Sequence, residues 1–207
     1  HVLRVDEETT EPISKDSRLD LESSISKLIV TNSIDVIVVE DYDKGIMSEE
    51  FANFLIDLAQ KNNIPICVDP KQKNFYAYKG VDLFKPNLKE LREGLGLKVD
   101  FESLDSMKNA VEKLHEEIQP KMSITTLGED GMWLHSSEFE HVLQKGIKRD
   151  IVDVSGAGDT VIAVASLMLA SGAKADEIVK AANIAGGQVC EKSGVVTVDL
   201  QELNSEF

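Results

Sequence analysis

Apolar and polar positions alternate along the chain in blocks that predict strands and helices in turn. The stretch "SIDVIVVE" (33–40) contains a continuous apolar run, which is typical of a strand buried on both faces of a parallel sheet. Ser48 then precedes a stretch with the spacing of an amphipathic helix, whose apolar face comprises Phe51, Phe54, Leu55, Leu58 and Ala59. The run "IPICVD" (64–69) predicts the next strand.

The remaining blocks continue this alternation. They predict a short strand at 80–87, a helix at 103–118, a strand at 121–128 with a hairpin partner at 131–136, a second strand pair within 139–153, and helices at 159–171 and 175–190. The helix at 159–171 is so apolar that we expect it to be central and buried, with Gly172 as its C-terminal cap. Strands that alternate with helices predict an α/β fold with a mostly parallel sheet.

The first 18 residues fit this alternation poorly. They are acidic and without helical periodicity, so we expect an extended segment (1–18) outside the sheet, followed by an α/β core at 19–207. The chain opens with "HVLRVDEETT", without an initiator methionine and in the middle of a strand-like pattern, which suggests a fragment of a longer protein.

Charge and composition narrow the classes of partner. The 207 residues carry a formal net charge of −15, which disfavours nucleic acid and anionic membranes because both require a basic surface. No apolar run is long enough to span a bilayer and no signal-peptide pattern is present, so we expect a cytoplasmic protein. Cys67 and Cys190 are expected to be reduced thiols. The four histidines form no cluster in the sequence and are predicted to be non-catalytic: His1, His115, His135 and His141.

Polar residues collect where the predicted strands end. In open α/β sheets, ligands bind beyond the carboxyl ends of the strands. Five such stretches occur, at 41–45, 69–71, 85–90, 126–131 and 153–159. The candidate chemistry of the chain is therefore expected at one edge of the sheet.

The stretch "DVSGAGDT" (153–160), here called the glycine turn, permits two interpretations. Its glycines allow a tight turn before a helix that starts near Asp159, and the first N–H groups of a helix favour an anion. Asp159 could then accept a proton from a hydroxyl that attacks a phosphoryl group. Alternatively Asp159 only caps the helix, since acidic residues are common at helix starts.

Three other stretches carry the same ambiguity. Asn87 and Glu90 in "KPNLKE" lie on one side of a helix start, where they could contact a phosphate and a metal-bound water or simply cap the helix. Gly128 and Gly131 in "TTLGEDGM" could belong to a nucleotide site or to an ordinary turn. Lys44 in "DYDKG" could contact a substrate phosphate or lie in a solvated loop.

Taken in order, the motifs "DYDKG", "VDPKQKNFYAYKGVDLFKPNLKEL", "TTLGEDGM", "DVSGAGDT" and "AANIAGG" resemble the ribokinase/phosphofructokinase-B family of carbohydrate kinases over residues 35–200. Within this family the likeness is greatest to kinases of D-glycero-D-manno-heptose 7-phosphate. The resemblance implies a ribokinase-like three-layer sandwich, with residues 1–18 as the remnant of a β lid and with the N-terminal part of the core missing. It also implies a homodimer through the lid as a possible assembly.

The resemblance assigns roles to the candidate residues. Asp159 would be the catalytic base, and the anion hole would be formed by Gly156, Ala157 and Gly158. The contacts to ATP and its Mg²⁺ would come from Asn87, from Glu90 through water, and from Thr126, Gly128, Gly131 and Asn183. Asp153, with the loop near Ser193, would hold a monovalent cation such as K⁺, while Lys44 and Asp41 are candidate sugar contacts.

The function implied is ATP-dependent transfer of the γ-phosphoryl group to a sugar hydroxyl, with a heptose 7-phosphate as the acceptor. Another sugar kinase or a nucleoside kinase of the same family is an alternative. A nucleotide-binding remnant without a working sugar pocket is a further alternative, from a different functional class.

Overall fold

A six-stranded sheet organises the chain in the computed structural model, which describes residues 7–137 and 140–207. The strands lie across the sheet in chain order: β1 Ile37–Glu40, β2 Ile66–Asp69, β3 Leu83–Phe84, β4 Met122–Thr126, β5 Gly131–Ser136 and β6 Val142–Lys145. Strands β1 to β4 are parallel, whereas β5 and β6 are antiparallel. The predicted α/β fold with a mostly parallel sheet is confirmed.

Helices cover both faces of this sheet. They are α1 Lys15–Thr31, α2 Glu49–Asn62, α3 Leu88–Leu95, α4 Leu104–Ile118, α5 Ala157–Ala170, α6 Ala175–Cys190 and α7 Leu200–Glu206. Ser48 caps α2 as expected, because its side chain accepts a hydrogen bond from the N–H of Phe51. Gly172 follows α5 with a φ of +76°, the left-handed conformation that commonly ends a helix.

Alternate strand residues supply two apolar cores. Ile66 and Val68 of β2 face the core shared with α2, α3 and α4, whereas Cys67 faces the core shared with α5 and α6. The period of two along the strand divides the side chains between the two faces. This division leaves the carboxyl ends of the parallel strands along one edge, between the two helical layers.

Two expectations about burial were wrong. Strand β1 was expected to be buried on both faces, but it is the outermost strand of the described sheet and Val38 is 40% exposed. Helix α5 was expected to be fully buried. It packs Val161, Ile162 and Ala165 inward, while Leu167 on its opposite side is 64% exposed. The continuous apolar runs predicted the helix and the strand correctly. They did not predict how many faces of each element are covered by the rest of the protein.

The predicted second strand pair within 139–153 is corrected by the structure. Among the described residues of that range only β6 forms, and residues 146–153 run as a loop. At Gly146 the backbone passes so close to the carbonyl of Glu129 that a Cβ would lie 2.0 Å from its oxygen. The ladder with β5 ends at this contact, because the chain is turned away from the sheet.

The boundary of the N-terminal segment also differs from the expected one. Residues 7–14 have no regular structure, but α1 begins at Lys15, so the extended segment ends before residue 18. Ser14 caps α1 by accepting a hydrogen bond from the N–H of Ser17. Residues 1–6, on which the proposed lid strand falls, lie outside the described residues, as does His1.

Three of the histidines, expected to form no cluster, come together from α4, from β5 and from the position directly before β6. The ring centroids of His115 and His135 are 4.3 Å apart, and those of His135 and His141 are 4.7 Å apart. Positions far apart in sequence meet here because α4 packs over the strand pair.

Across the described ranges, no helix is both long and apolar enough to cross a membrane.

Candidate active site

Charged side chains stand at the carboxyl ends of the first three strands. Glu40 ends β1, Asp69 ends β2 and Lys85 directly follows β3. The Lys85 ammonium lies 2.9 Å from Asp69 Oδ2, and the Lys85 side chain is only 2% exposed. A buried lysine is costly unless it is paired, so this ion pair is a fixed part of the strand ends.

The carboxylates of this edge influence one another. Burial raises the pKa of Glu40, and the nearby charges of Asp159 and Asp69 raise it further, while Lys85 opposes them. Burial also raises the pKa of Asp69, again against the effect of Lys85. Three carboxylates, those of Glu40, Asp69 and Asp159, therefore lie near one another, and Asp69 is the one that pairs directly with the buried Lys85.

The glycine turn begins α5 two residues earlier than expected. Gly156 has a φ of +77° and occupies the N-cap position, so that Asp159 is the third residue of the helix rather than its first. The N–H of Ala157 donates to the carbonyl of Val154 at 3.2 Å. Of the three expected anion-hole donors, Ala157 is thus engaged within the turn, whereas Gly156 and Gly158 have no such bond among the described residues.

Gly158 lies directly over the buried ion pair. A Cβ at this position would be 3.8 Å from both Asp69 Oδ2 and Lys85 Nζ. The positive charge of Lys85 is therefore close to the helix start, whose free N–H groups already favour an anion. An anion at the start of α5 would therefore meet free N–H groups, while the nearby Lys85 is already paired with Asp69.

Tyr42 connects the first strand end to the expected base. Its hydroxyl donates to Asp159 Oδ1 at 2.9 Å across 117 residues of sequence. Partial burial, this hydrogen bond and the charge of Asp159 raise the pKa of Tyr42 to about 12. The phenol is therefore a neutral donor to the carboxylate.

Asn87 and Glu90 form a capping box at the start of α3. Asn87 Oδ1 accepts from the N–H of Glu90, and Glu90 Oε2 accepts from the N–H of Asn87, both at 2.8 Å. The other oxygen of Glu90 is paired with Lys71. Asn87 also forms a parallel β-bridge with Thr126, which brings the two stretches side by side.

A cavity of about 780 Å³ opens between the hairpin, the loop after β6 and the start of α5. Six of the expected site residues line it: Thr126, Gly128, Gly131, Ala157, Gly158 and Asn183. Gly131 adopts a φ of +103°, and a Cβ there would lie 2.1 Å from the carbonyl oxygen of Gln144, so only glycine fits. Asn183 donates to the carbonyl of Lys145 and thereby ties α6 to the strand that borders the cavity.

Asp153 joins the glycine turn to the loop that follows α6. Its Oδ1 accepts from the N–H and the hydroxyl of Ser155, and its Oδ2 accepts from the N–H of Gly194 at 3.0 Å. These hydrogen bonds, those of Ser155 first, hold the pKa of Asp153 below its ordinary value. The structure thus brings Asp153 and the loop near Ser193 together.

The two expected sugar contacts lie apart from the cavity lining. Asp41 is buried, and its carboxylate accepts from Tyr78, Asn74 and the N–H of Asp43, which favours a structural role. Lys44 is partly exposed and pairs with Glu8 of the N-terminal segment.

Several residues of the candidate site were missed when the sequence was considered alone. Asp69 and Lys85 were noted as polar strand ends without a role, although a charge directly after an apolar strand was an available signal. No sequence signal linked Tyr42 to Asp159, and none indicated Arg149, which lines the cavity with its side chain only 6% exposed.

The oxygen donors of the strand ends fit a Mg²⁺ ion that keeps most of its waters. Asp69 Oδ1 is buried and has no hydrogen-bond partner among the described residues. Glu90 is already occupied by the capping box and Lys71, so its contact would be through water. Within the described ranges, no group of three or more His, Cys, Asp or Glu side chains is arranged to hold a metal. Mg²⁺ commonly binds through one or two carboxylates together with phosphate oxygens.

Comparison with known proteins extends over nearly the whole chain. A family model described as pfkB family carbohydrate kinase matches residues 17–202. The chain is 35% identical over 202 residues to the bifunctional protein HldE of Sulfurimonas denitrificans, covering 98% of this chain and 41% of that protein. It is 36% identical over 208 residues to the bifunctional protein HldE of Campylobacter jejuni subsp. doylei, covering 99% and 42%. The chain thus spans about two fifths of these relatives.

Solved structures share the fold at lower identity. Phosphofructokinase-2 from Escherichia coli in complex with potassium superposes with a TM-score of 0.81 at 22% identity, over 94% of this chain and 62% of that one. Ribokinase from Arabidopsis thaliana complexed with ribose and ATP gives a TM-score of 0.70 at 18% identity, over 95% and 60%. The ribokinase-like architecture expected from the motifs is confirmed.

Proposed function

Because the chain belongs to the pfkB family of carbohydrate kinases, we propose that it transfers the γ-phosphoryl group of ATP to a sugar hydroxyl. The observation that carries this proposal is the position of Asp159. It stands in the first turn of α5, within the glycine turn, and directly follows Gly158, which lies over the buried Lys85–Asp69 pair. A carboxylate beside an anion site is the arrangement that phosphoryl transfer to an alcohol requires.

In the proposed mechanism, Asp159 accepts the proton of the attacking sugar hydroxyl. The proton moves from the hydroxyl oxygen to a carboxylate oxygen as the hydroxyl oxygen bonds to phosphorus, and the bond from phosphorus to the ADP oxygen breaks. A base at this position contributes about 10²–10⁴-fold to the rate.

The negative charge of the transferring group would be met chiefly by the glycine turn, because Lys85 is already paired with Asp69. An anion site here is supported by the N–H groups of Gly156 and Gly158 and by the start of α5. Lys85 lies next to Gly158. Loss of a single donor of this kind typically costs about 3 kcal/mol of transition-state stabilisation.

The nucleotide would occupy the 780 Å³ cavity, with Thr126, Gly128, Gly131 and Asn183 in its wall. Glu90 through water, and Asp69, would hold Mg²⁺, which when bound neutralises phosphate charge. Asp153 and the Gly194 loop would take K⁺; this is supported by the carboxylate that joins the two loops and by potassium in the Escherichia coli phosphofructokinase-2 structure.

For the acceptor we propose D-glycero-D-manno-heptose 7-phosphate. The support is the likeness of "DYDKG" and "YKGVDLFKPN" to kinases of that sugar, together with the identity to proteins named HldE. Lys44 is the candidate contact for the sugar phosphate, since it is partly exposed and its ion pair with the exposed Glu8 is of a kind that contributes little energy. A homodimer through the N-terminal segment stays a prediction.

The first test replaces the proposed base in the full-length natural protein. Asp159→Asn should lower kcat by about 10²–10⁴-fold with heptose 7-phosphate, because the hydroxyl loses its proton acceptor. Binding of Mg-ATP, measured by calorimetry, should be nearly unchanged, since Asp159 does not line the nucleotide cavity.

Asp176→Asn is the matched control, because Asp176 also lies in the first turn of a helix but is exposed. It should leave turnover unchanged. Near-normal turnover by Asp159→Asn would overturn the assignment of the base. Turnover on ribose or fructose 6-phosphate but not on the heptose would point to another sugar kinase, and ATP binding without turnover on any sugar would point to a nucleotide-binding remnant.

A further inference from the structure

We propose that Tyr42 is a positioning residue that orients the carboxylate of Asp159 for proton transfer, an inference that rests on the proposed function. The Tyr42 hydroxyl donates to Asp159 Oδ1 at 2.9 Å. Because Oδ1 already accepts this hydrogen bond, it is a poorer acceptor than Oδ2 for the proton of a substrate hydroxyl. The arrangement therefore leaves Oδ2 as the oxygen available to a sugar hydroxyl.

The geometry supports orientation rather than packing. Tyr42 is 50% exposed, so its ring contributes little to either apolar core. Apart from its hydrogen bond to Asp159, the structure records no other hydrogen bond from the phenol among the described residues. A long side chain that lies across the surface to reach one carboxylate is poorly explained by burial alone.

The surroundings explain why the donor is a phenol. Acidic groups face Tyr42 from three elements: Glu40 from β1, Asp69 from β2 and Asp159 from α5. Lys85, the buried cation of the strand ends, is paired with Asp69. A lysine at position 42 would neutralise Asp159 and weaken it as a base, whereas a phenol whose pKa is raised by burial and by these carboxylates stays neutral and donates without adding charge.

The test introduces Tyr42→Phe into the full-length natural protein in two backgrounds, wild type and Asp159→Asn. The variant removes one oxygen and keeps the ring. We expect kcat to fall by about 10-fold or more, as is usual when a hydrogen bond to a charged group is lost, with KM for ATP within about 2-fold of wild type. In the Asp159→Asn background the same substitution should change the residual turnover by less than about 2-fold, because the two residues act as a unit.

Tyr76→Phe is the matched control, since Tyr76 is also an exposed tyrosine, and it should have no effect. Equal fold-losses from Tyr42→Phe in both backgrounds, or unchanged turnover in the wild-type background, would overturn the positioning role while leaving the base assignment intact. Near-normal turnover by Asp159→Asn would instead overturn the base, and with it this proposal.

A second measurement examines the contact without any turnover. Carbon-13-labelled tyrosine would be titrated by NMR from neutral pH to about pH 11, with the Tyr42 signal assigned by its absence in Tyr42→Phe. The wild-type phenol should stay neutral over this range. In Asp159→Asn it should begin to ionise, because the neighbouring negative charge is gone. Identical titrations of the two proteins would show that the contact is absent in solution.

Discussion

At the scale of single residues, the buried pair of Lys85 and Asp69 makes a strong prediction about stability. Lys85→Met should lower the free energy of unfolding by about 3–5 kcal/mol, because it leaves the Asp69 carboxylate buried without its counter-charge. Denaturation with urea would measure this loss. Adding Asp69→Leu to Lys85→Met should recover much of it, since two apolar side chains carry no uncompensated charge.

The matched control for this prediction is the surface pair of Lys89 and Glu93, four residues apart on α3. Both side chains are exposed and their atoms are 3.9 Å apart, so Lys89→Met should change the free energy of unfolding by less than about 1 kcal/mol. If the two lysine variants were equally stable, the strand-end pair would be solvated rather than buried.

At the scale of elements, the sequence predicted structure well where the determinants are local. Ser48 and Gly172 mark helix ends through bonds and dihedral angles within their own turn, so the pattern placed them correctly. The loop at 146–153 was mistaken for strands because what holds it is not local. Arg149 pairs with Glu191 and Glu206, which are 42 and 57 residues further along the chain.

The same distinction applies to the candidate site. The ordered motifs predicted six of the residues that line the cavity, since glycines and strand ends are visible in the sequence. They did not predict Tyr42 or Arg149, whose roles depend on partners from other elements. The helix start was misplaced by two residues because the conformation of Gly156, and not the charge of Asp159, determines where α5 begins.

Helix α6 has a glycine at position 187 because Arg149 lies against it. A Cβ there would be 2.6 Å from Arg149 Nε, and the guanidinium is held by Glu191 at 2.6 Å and Glu206 at 2.5 Å. Gly187→Ala should therefore lower the free energy of unfolding by about 1–3 kcal/mol. In an Arg149→Ala background the same change should be neutral or stabilising by roughly 0.5–1 kcal/mol, as for alanine in an ordinary helix.

Gly186→Ala provides the control for this pair of measurements. Its Cβ would meet Val161 Cγ2 at 2.7 Å, a contact that does not involve Arg149, so it should be destabilising in both backgrounds. Thermal and urea unfolding of wild type, Gly187→Ala, Arg149→Ala and the double variant would give the coupling energy between positions 187 and 149. A cost of Gly187→Ala that is the same with and without Arg149 would contradict this explanation of the glycine.

At the scale of the whole molecule, the cluster of His115, His135 and His141 should make the fold sensitive to mild acid. Burial, and then the neighbouring imidazoles, lower the pKa of His115 to about 4, and burial also lowers the pKa of His135. Glu112, which lies 3.5 Å from His141, and Glu140 oppose this effect on His135 only in part. His115 is thus neutral in the folded protein over a range where an unfolded chain binds a proton.

The direction of the pH dependence follows from the number of protons that the folded and unfolded states bind. Below the ordinary histidine pKa of about 6.5 the unfolded chain is protonated at His115 and the folded protein is not, so stability falls as the pH drops from about 6.5 to about 4. His115→Gln removes the titrating group and can keep the hydrogen bond that Nε2 makes with Ser123 Oγ at 2.8 Å. Between neutral pH and about pH 4.5, the free energy of unfolding of wild type should fall by about 1–3 kcal/mol more than that of this variant, as measured by urea denaturation. Because carboxylates titrate in both proteins, the difference between them isolates His115, and parallel pH dependences would show that the cluster is accessible to protons in the folded state.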